Sequence, residues 1–505
     1  MSIQRAATPM RTEPDASSQS GAHVVIIGGG IAGLSAAWYL QQEAARQSIP
    51  VRYTLLEASN RWGGKIASER IEGVGGGPTI IEAGPDSFLT RKPWALSLAR
   101  ELGLDDHLQY LDARGLRTYT LLRSLLVPLP AGWNLLAPSR WTPFLQSPLF
   151  SLRGKARICL EPLIPPRRDD ADESLGQFVR RRLGAEALDR AAEPLMAGVY
   201  NAPADEQSLR ATFPQFAVLE REHGSVIRGL RATRQKSAKE NTPPFFSLDA
   251  GAELLVRRLV ARLEGDLRLR TEVSGVVQNA DGGYDVNLRD GSQLHADAII
   301  LACPAAISAR ILRESVPDAA DLLASIDSSG IGSVYLGYRR GDVPHPLDGA
   351  GVVIPTSEGR RIDGMTWVSS KWPARAPEGI ALLRVFFGGP ATRETLDLDD
   401  ATLLALVREE LGTILGVQAA PLFQRVFRVR DGYPRYTVGH LERVEAIERA
   451  LPAGLYVTGA SYRGVGVPDC VRQGQEAASH VLSALAPLTH TGVEGVPDAQ
   501  QGRSA

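Results

Sequence analysis

Short apolar runs closed by glycine or an acid alternate along this chain with segments of helical period. Residues 24–27, Val-Val-Ile-Ile, form a continuous apolar run, the pattern of a parallel strand buried on both faces. Glycines follow at 28, 29, 30 and 33, and Leu34, Ala37, Trp38 and Gln41 then recur with mostly helical spacing. Residues 52–56 read as a second strand, which Glu57 ends. Residues 79–81 predict a strand and 93–102 a helix stopped at Gly103. Residues 173–201 are mainly helical, with Ser174 as N-cap. Helical period returns at 251–263, and 268–273 reads as a strand. Turn signals at Asp281–Gly283 and Asp290–Gly291, with alternation in Tyr284, Val286 and Leu288, predict two hairpins before a buried strand at 297–302. Residues 330–390 alternate like sheet strands, most clearly at 333–338 and 381–387, and predict a second domain. Near the C-terminus 455–458 is strand-like. A glycine-rich loop follows, then a helix through Gln475, Ala477, Ala478 and Val481 with Asp469 as its N-cap.

The first strand–turn–helix carries chemistry. Gly28 permits a tight turn, Gly30 lets backbone approach a pyrophosphate, and Gly33 lets the helix lie close to the strand. The helix beginning near Ile31 and Ala32 aims free N–H groups and its positive end at that pyrophosphate. Glu57 is placed to accept bonds from the ribose hydroxyls of an adenosine, and it would repel a 2′-phosphate, which disfavours NADP. The second glycine-rich strand–loop–helix narrows the cofactor to FAD held along its whole length. There Gly464, Val465, Gly466 and Val467 supply close backbone contacts. The helix that follows directs its positive end at the flavin edge where negative charge develops on reduction. Cys470 reads as a small buried helix residue, so the FAD is expected to be non-covalent.

At 505 residues the chain holds more than one domain. A net charge of −1 gives no electrostatic case for nucleic acid. Three cysteines, 159, 303 and 470, form no C-x-x-C, which points to a reducing compartment. The eight histidines form no clustered ligand set, so no metal is expected. Residues 1–20 are polar and proline-containing, and read as a disordered lead. Residues 119–150 are apolar but broken by Arg123, Arg140 and five prolines at 128, 130, 138, 143 and 148, too often for a spanning helix of about 20 residues. They are expected to line a core or pocket, with a membrane-surface position as the alternative. The triple Arg180, Arg181, Arg182 reads as a solvated helix face, with anion binding as the alternative. Residues 487–505 read as a loose tail.

The continuation Glu57-Ala58-x-x-Arg61-x-Gly63-Gly64-Lys65 resembles the family of FAD-dependent amine oxidases, phytoene desaturases and porphyrinogen oxidases. The resemblance implies that Arg61, Gly64 and Lys65 wrap the pyrophosphate and that backbone at Val273 meets the adenine. Four further segments resemble porphyrinogen oxidases of the heme pathway: Gly84-Pro85-Asp86-Ser87-Phe88-Leu89, residues 193–200, 434–440 and 460–470. The match runs from about Val24 to Leu482 and its forms are those of the Bacillus-like branch. Gly84, Pro85, Asp86 and Ser87 thereby join the cofactor-side residues. Animal enzymes carry Arg where Asp86 stands, so no substrate contact is carried over from that position.

The implied fold is α/β (α+β). A discontinuous Rossmann-like FAD domain (21–105, 245–310, 432–486) is expected beside a helical, apolar domain (106–244) and a mixed-sheet substrate domain (311–431). The implied reaction is an FAD- and oxygen-dependent six-electron oxidation of a porphyrinogen, with coproporphyrinogen III to coproporphyrin III first and hydrogen peroxide released. Protoporphyrinogen IX is the second substrate reading. A related flavin amine oxidase or carotenoid desaturase ranks behind these, and a non-catalytic flavin or porphyrin-binding protein last. The macrocycle's nitrogens can carry the proton traffic, so no catalytic acid or base is named. Arg91 and Lys92, at the start of the 93–102 helix, are the candidates for the substrate's carboxylates, because the helix dipole does not favour cations there. The expected location is cytoplasmic, with peripheral contact at the inner face of the cell membrane left open along with the oligomeric state.

Overall fold

The structure, a computed structural model, describes residues 21–112, 116–237, 243–280 and 282–489. The expected disordered lead, most of the expected tail, and Asp281 of the first hairpin lie outside them. The nucleotide-type domain is built on a five-stranded parallel sheet. Its strand order is Asp266–Arg268, Val51–Leu56, Ala22–Ile27, Ala298–Leu301, Leu455–Val457. The run at 24–27 is apolar throughout because both of its faces are covered. Val24 and Ile26 pack beneath helices Ile31–Gln47 and Val467–Thr489 with Leu34, Leu40, Ala478 and Val481. Val25 and Ile27 face the other way, against Val276, Val286, Ala309 and Leu323 from a small antiparallel sheet and two helices.

Two expectations change here. The predicted strand at 268–273 is two strands. Asp266–Arg268 completes the parallel sheet, Arg270 turns the chain with φ 55°, and Val273–Gln278 opens the antiparallel sheet. The C-terminal helix begins at Val467 and runs to Thr489, so it starts before Asp469 and passes the expected 486 boundary.

The second sheet has seven strands in the order Phe423–Pro434, Ser328–Arg339, Ile380–Phe387, Gly364–Trp367, Gly349–Val353, Arg117–Leu122, Leu125–Pro128. Residues 117–128, expected in the helical domain, thus belong to this sheet. Arg117–Leu122 pairs in parallel with Gly349–Val353, a partner more than 220 residues away that no local pattern reveals. Its Tyr119 and Leu121 point into one core with Val334, Leu336, Trp367, Leu383 and Leu403.

The remaining helical region packs around Leu136, Phe144, Leu149, Phe150, Phe178, Met196 and Phe213. The latter half of the broken apolar stretch is therefore core. Among the described residues no helix is long and apolar enough to cross a membrane. Leu152, Leu160 and Leu163 nevertheless stand exposed in this region.

Only Arg180 of the arginine triplet is on a solvated face, and all three side chains are paired with acids. Helix Leu175–Arg182 starts at a Ser174–Gln177 capping box. Arg180 pairs with Asp205, and Arg181 with Glu173 at 2.7 Å and Glu220 at 2.6 Å. Arg182 is fully buried against the equally buried Glu161 and donates to the carbonyls of Ile164 (2.9 Å) and Gly224 (3.1 Å). Removing one member of such a pair strands the other in the core. Arg182→Met is therefore expected to lower the unfolding free energy by about 3–5 kcal/mol. Arg180→Met, at an exposed pair, is expected to cost no more than about 1 kcal/mol. Denaturant unfolding of both variants checks this, and equal losses would show that Arg182 is not the anchor of this region.

Candidate cofactor and substrate site

The glycine turn divides its labour. A Cβ at Gly28 would lie 2.8 Å from the Ala302 carbonyl oxygen, and one at Gly33 only 2.0 Å from that of Gly28. These two positions are demanded by packing. At Gly30 a Cβ would meet nothing within 4 Å, so this backbone faces open space. Gly30 is also the N-cap of helix Ile31–Gln47, and no side chain accepts from that helix's first amides. Open backbone and unclaimed N–H groups at a helix start suit a pyrophosphate.

Glu57 stands at the rim of this space. Its Oε2 accepts from Gly29 N–H at 2.7 Å and its Oε1 from Ser59 N–H at 2.8 Å. Each oxygen keeps a lone pair for a ribose hydroxyl. Thr271 N–H donates to the Glu57 carbonyl at 2.9 Å, which brings Val273 and its strand alongside. Ala58 is exposed at the same edge. The Gly63–Gly64 turn has φ of 101° and 56°, and Gly63 N–H bonds the Gly29 carbonyl at 2.8 Å. Arg61 sets this turn by donating to the carbonyls of Ile66 (2.9 Å), Trp62 (3.3 Å) and Gly64. Lys65 follows, solvent-accessible yet deep in the cleft, and burial lowers its pKa.

The second half is held by the 434–440 segment. The buried Tyr436 hydroxyl donates to the Ala460 carbonyl at 2.7 Å and accepts from Gly464 N–H at 2.8 Å. His440 stacks on the Tyr436 ring, centroids 3.9 Å apart, with Nε2 2.8 Å from the Tyr462 carbonyl. That carbonyl can only accept, so Nε2 carries the proton. Nδ1 is buried without a partner among the described residues. Burial lowers the His440 pKa to about 4. The clamped loop delivers Val465, Gly466 and Val467 to the start of the C-terminal helix. Asp469 is not its N-cap. It sits in the first turn and takes Lys92 Nζ on both oxygens, at 2.8 and 2.6 Å. Lys92 is thereby committed to the protein, and only Arg91 of the candidate carboxylate pair stays exposed. Cys470 is buried, and its thiol is pushed up to about 12 by burial.

A third group was named only in part by the sequence, which gave Gly84, Pro85, Asp86 and Ser87 but not their charged partners. A Cβ at Gly84 would lie 2.1 Å from the Lys65 carbonyl oxygen, so the Gly84–Pro85–Asp86–Ser87 turn seats directly on the Gly-Gly-Lys loop. Around it gather charges from several elements: Arg384 of the seven-stranded sheet, Lys371 of helix Val368–Lys371, and Arg375 of the turn at 373–375. Arg375 and Glu82 form a buried pair at 2.6 Å, and Arg375 also donates to Ser247 Oγ at 2.8 Å. Asp86 lies 3.4 Å from Lys371 and 3.8 Å from Arg384. Burial alone would raise the Asp86 pKa. The two cations outweigh it and hold the carboxyl well below the usual range. The visible signal was a lone cation inside an apolar strand, Leu-Leu-Arg384-Val-Phe-Phe. Asn201, with φ 47°, ties the helical region to this sheet through Nδ2 and the Gly330 carbonyl at 2.5 Å.

Comparison with known proteins agrees with this geometry. The family model of flavin containing amine oxidoreductases matches residues 31–482. Coproporphyrinogen III oxidase of Bacillus subtilis is 38% identical over 475 residues, covering 92% of this chain and 98% of that protein. Human protoporphyrinogen oxidase is 32% identical over 496 residues, covering 92% and 98%. A solved structure assigned as a protoporphyrinogen oxidase from Exiguobacterium sp. 255-15 superposes with a TM-score of 0.81 at 30% identity, covering 92% of this chain and 99% of that one.

The His440 clamp gives the loop a pH limit. The imidazole titrates near 4 in the folded protein and near 6.5 unfolded, so the unfolded chain binds the extra proton between these values. Its contribution is complete above about pH 6.5 and falls as pH drops toward 4, by on the order of 3 kcal/mol. His440→Gln keeps a donor for the Tyr462 carbonyl but does not titrate. Melting temperatures across this window should fall less steeply in the variant than in wild type. Parallel curves would acquit His440.

Proposed function

Since the chain belongs to the flavin-containing amine oxidoreductase family, we propose that it oxidises coproporphyrinogen III to coproporphyrin III with non-covalent FAD and oxygen. The observation that carries this reading is the near-complete match to the Bacillus subtilis enzyme, joined to a cleft whose two halves suit the two ends of FAD. Protoporphyrinogen IX is the second substrate reading, favoured by the likeness to the human enzyme.

The open backbone at Gly30 and the free amides of helix Ile31–Gln47 would hold the pyrophosphate, and Glu57 the ribose. Val465, Gly466 and Val467 would lie under the ring system, with the positive end of the C-terminal helix facing its edge. FAD held there would supply a two-electron acceptor, which oxygen would regenerate three times for the six electrons, each time taking a hydride equivalent and a proton to give one hydrogen peroxide. The acids described beside the cleft are already committed. Asp86 is kept ionised by its cations and is correspondingly weak as a proton acceptor. Lys92 and Asp469 neutralise one another. Protons are therefore left to the macrocycle's own nitrogens, and the chain's task is to bind, orient and exclude water.

Wild-type protein should purify yellow, and acid precipitation should release FAD into the supernatant. Glu57→Lys removes the acceptor of the Gly29 and Ser59 amides along with the ribose contact. It should purify without flavin and melt at lower temperature, having lost the ligand's mass-action stabilisation. Colour left in the pellet would refute the non-covalent reading, and full flavin content in the variant would remove Glu57 from the ribose.

Anaerobic stopped-flow reduction of the flavin decides the substrate. Coproporphyrinogen III is expected to reduce it faster than protoporphyrinogen IX at equal concentration. The reverse order would transfer the assignment to the second substrate, and no reduction by either would defeat the oxidase reading.

A further inference from the structure

The seven-stranded sheet has two faces. Val334, Leu336, Leu383 and Val385 fill its own core. The alternate residues, Tyr335, Arg384 and Phe386, face the Gly84–Ser87 turn instead. Where this second face meets the turn, the charges do not balance. Glu82 is satisfied by Arg375 at 2.6 Å, by Ser68 Oγ at 2.6 Å and by Ala252 N–H at 2.8 Å. Among the described residues, Asp86 is the one carboxylate left for two cations. It meets Lys371 at 3.4 Å and Arg384 at 3.8 Å, both far looser than the Glu82–Arg375 pair. One positive charge remains uncompensated in a mostly buried cluster.

The donors are also unfilled. Of the five N–H groups of a guanidinium, Arg384 spends one on the Gly84 carbonyl at 2.9 Å. Its Nε is buried without a partner among the described residues. The group is held between the Tyr335 and Phe386 rings, 5.2 and 4.8 Å from their centroids, so it cannot swing out to find water. Lys371 donates to Ser87 Oγ at 2.8 Å. A buried cation with open donors is costly unless an anion completes it. Lys371, Arg384 and Asp86 each keep a small accessible surface, 16%, 8% and 14% of the side chain, so the cluster is open enough to be reached.

We propose that Lys371 and Arg384 form a carboxylate subsite that takes one propionate of the porphyrinogen, with Asp86 as the positioning residue that keeps the two cations apart. Both cations come from outside the two dinucleotide half-sites, which places the anion on the substrate. The inference rests on the porphyrinogen reading. A propionate is common to both porphyrinogens, so the subsite deepens the porphyrinogen reading without choosing between them.

The probes are coproporphyrin III and its tetramethyl ester, which share the macrocycle and carry anionic and neutral side arms respectively. Binding to flavin-loaded wild type, Lys371→Gln and Lys371→Arg is followed by porphyrin fluorescence, with flavin absorbance as the check on loading. Lys371→Gln should weaken binding of the free acid roughly tenfold, the scale of one lost charged hydrogen bond. The ester should be unaffected, and Lys371→Arg should restore the difference. Arg384→Lys, which keeps the charge but loses the planar fork, should also weaken the acid selectively, and it serves if Lys371→Gln does not fold. Equal losses for acid and ester, no loss, or loss of FAD from the variants would overturn the subsite while leaving the function standing. Wild-type holoenzyme that binds neither porphyrin would overturn the functional reading and the subsite with it.

Discussion

The contact on which everything else depends is the closing of the chain's end onto its beginning. Helix Val467–Thr489 lies along helix Ile31–Gln47 so closely that a Cβ at Gly474 would sit 2.6 Å from the Ala32 carbonyl oxygen. Strand Leu455–Val457 meanwhile takes the edge place beside Ala298–Leu301. Without this closure the loop at 460–466 would have no fixed position relative to Gly28–Gly33, and two half-sites more than 400 residues apart would not form one cleft. The driving force is apolar burial from both helices in a single core. The precision comes from small residues that allow close approach.

A second constraint is the management of buried polar groups where the layers meet. Each junction carries a tightly bonded cluster, although His440 Nδ1 and Arg375 Nε stay without partners among the described residues. Tyr436 and His440 fasten the C-terminal loop, Arg182 and Glu161 anchor the helical region, and Arg375 ties the short turn at 373–375 to Glu82 of the strand Gly77–Glu82. Such clusters add modest net stability but penalise any other arrangement heavily, because a displaced partner leaves a charge stranded. The Asp86, Lys371, Arg384 group is the loosest of these, with ion pairs of 3.4 and 3.8 Å against 2.6 Å for Arg375–Glu82. It is the junction beside the Gly-Gly-Lys loop of the cleft, and its donors are incompletely filled.

The legible and illegible parts of the chain separate along a physical line. The glycine turn, Glu57 and the strand at 24–27 were readable because their requirements are local. A tight turn, a helix start and a two-faced burial each impose a pattern within a few residues. The placement of 117–128 was not readable, since a strand's partner across more than 220 residues leaves no mark in its own alternation. Asp469 resembled an N-cap by residue type. Its true partner, Lys92, lies 377 residues away and claims the carboxylate. The arginine triplet looked like a solvated face because its acids come from other segments, Glu161, Asp205 and Glu220.

Arg384 shows the division most clearly. By alternation it belongs to the outward face of a strand, where a charge ordinarily meets water. The outward face here meets another domain, so the same position becomes a buried, half-satisfied cation. The sequence by itself determined the local chemistry: where backbone must turn, where a helix must begin, and which residue types stand ready to bind. Tertiary structure alone decided which polar groups would find partners and which would be left open, because partnership depends on desolvation and on distances between residues far apart in the chain.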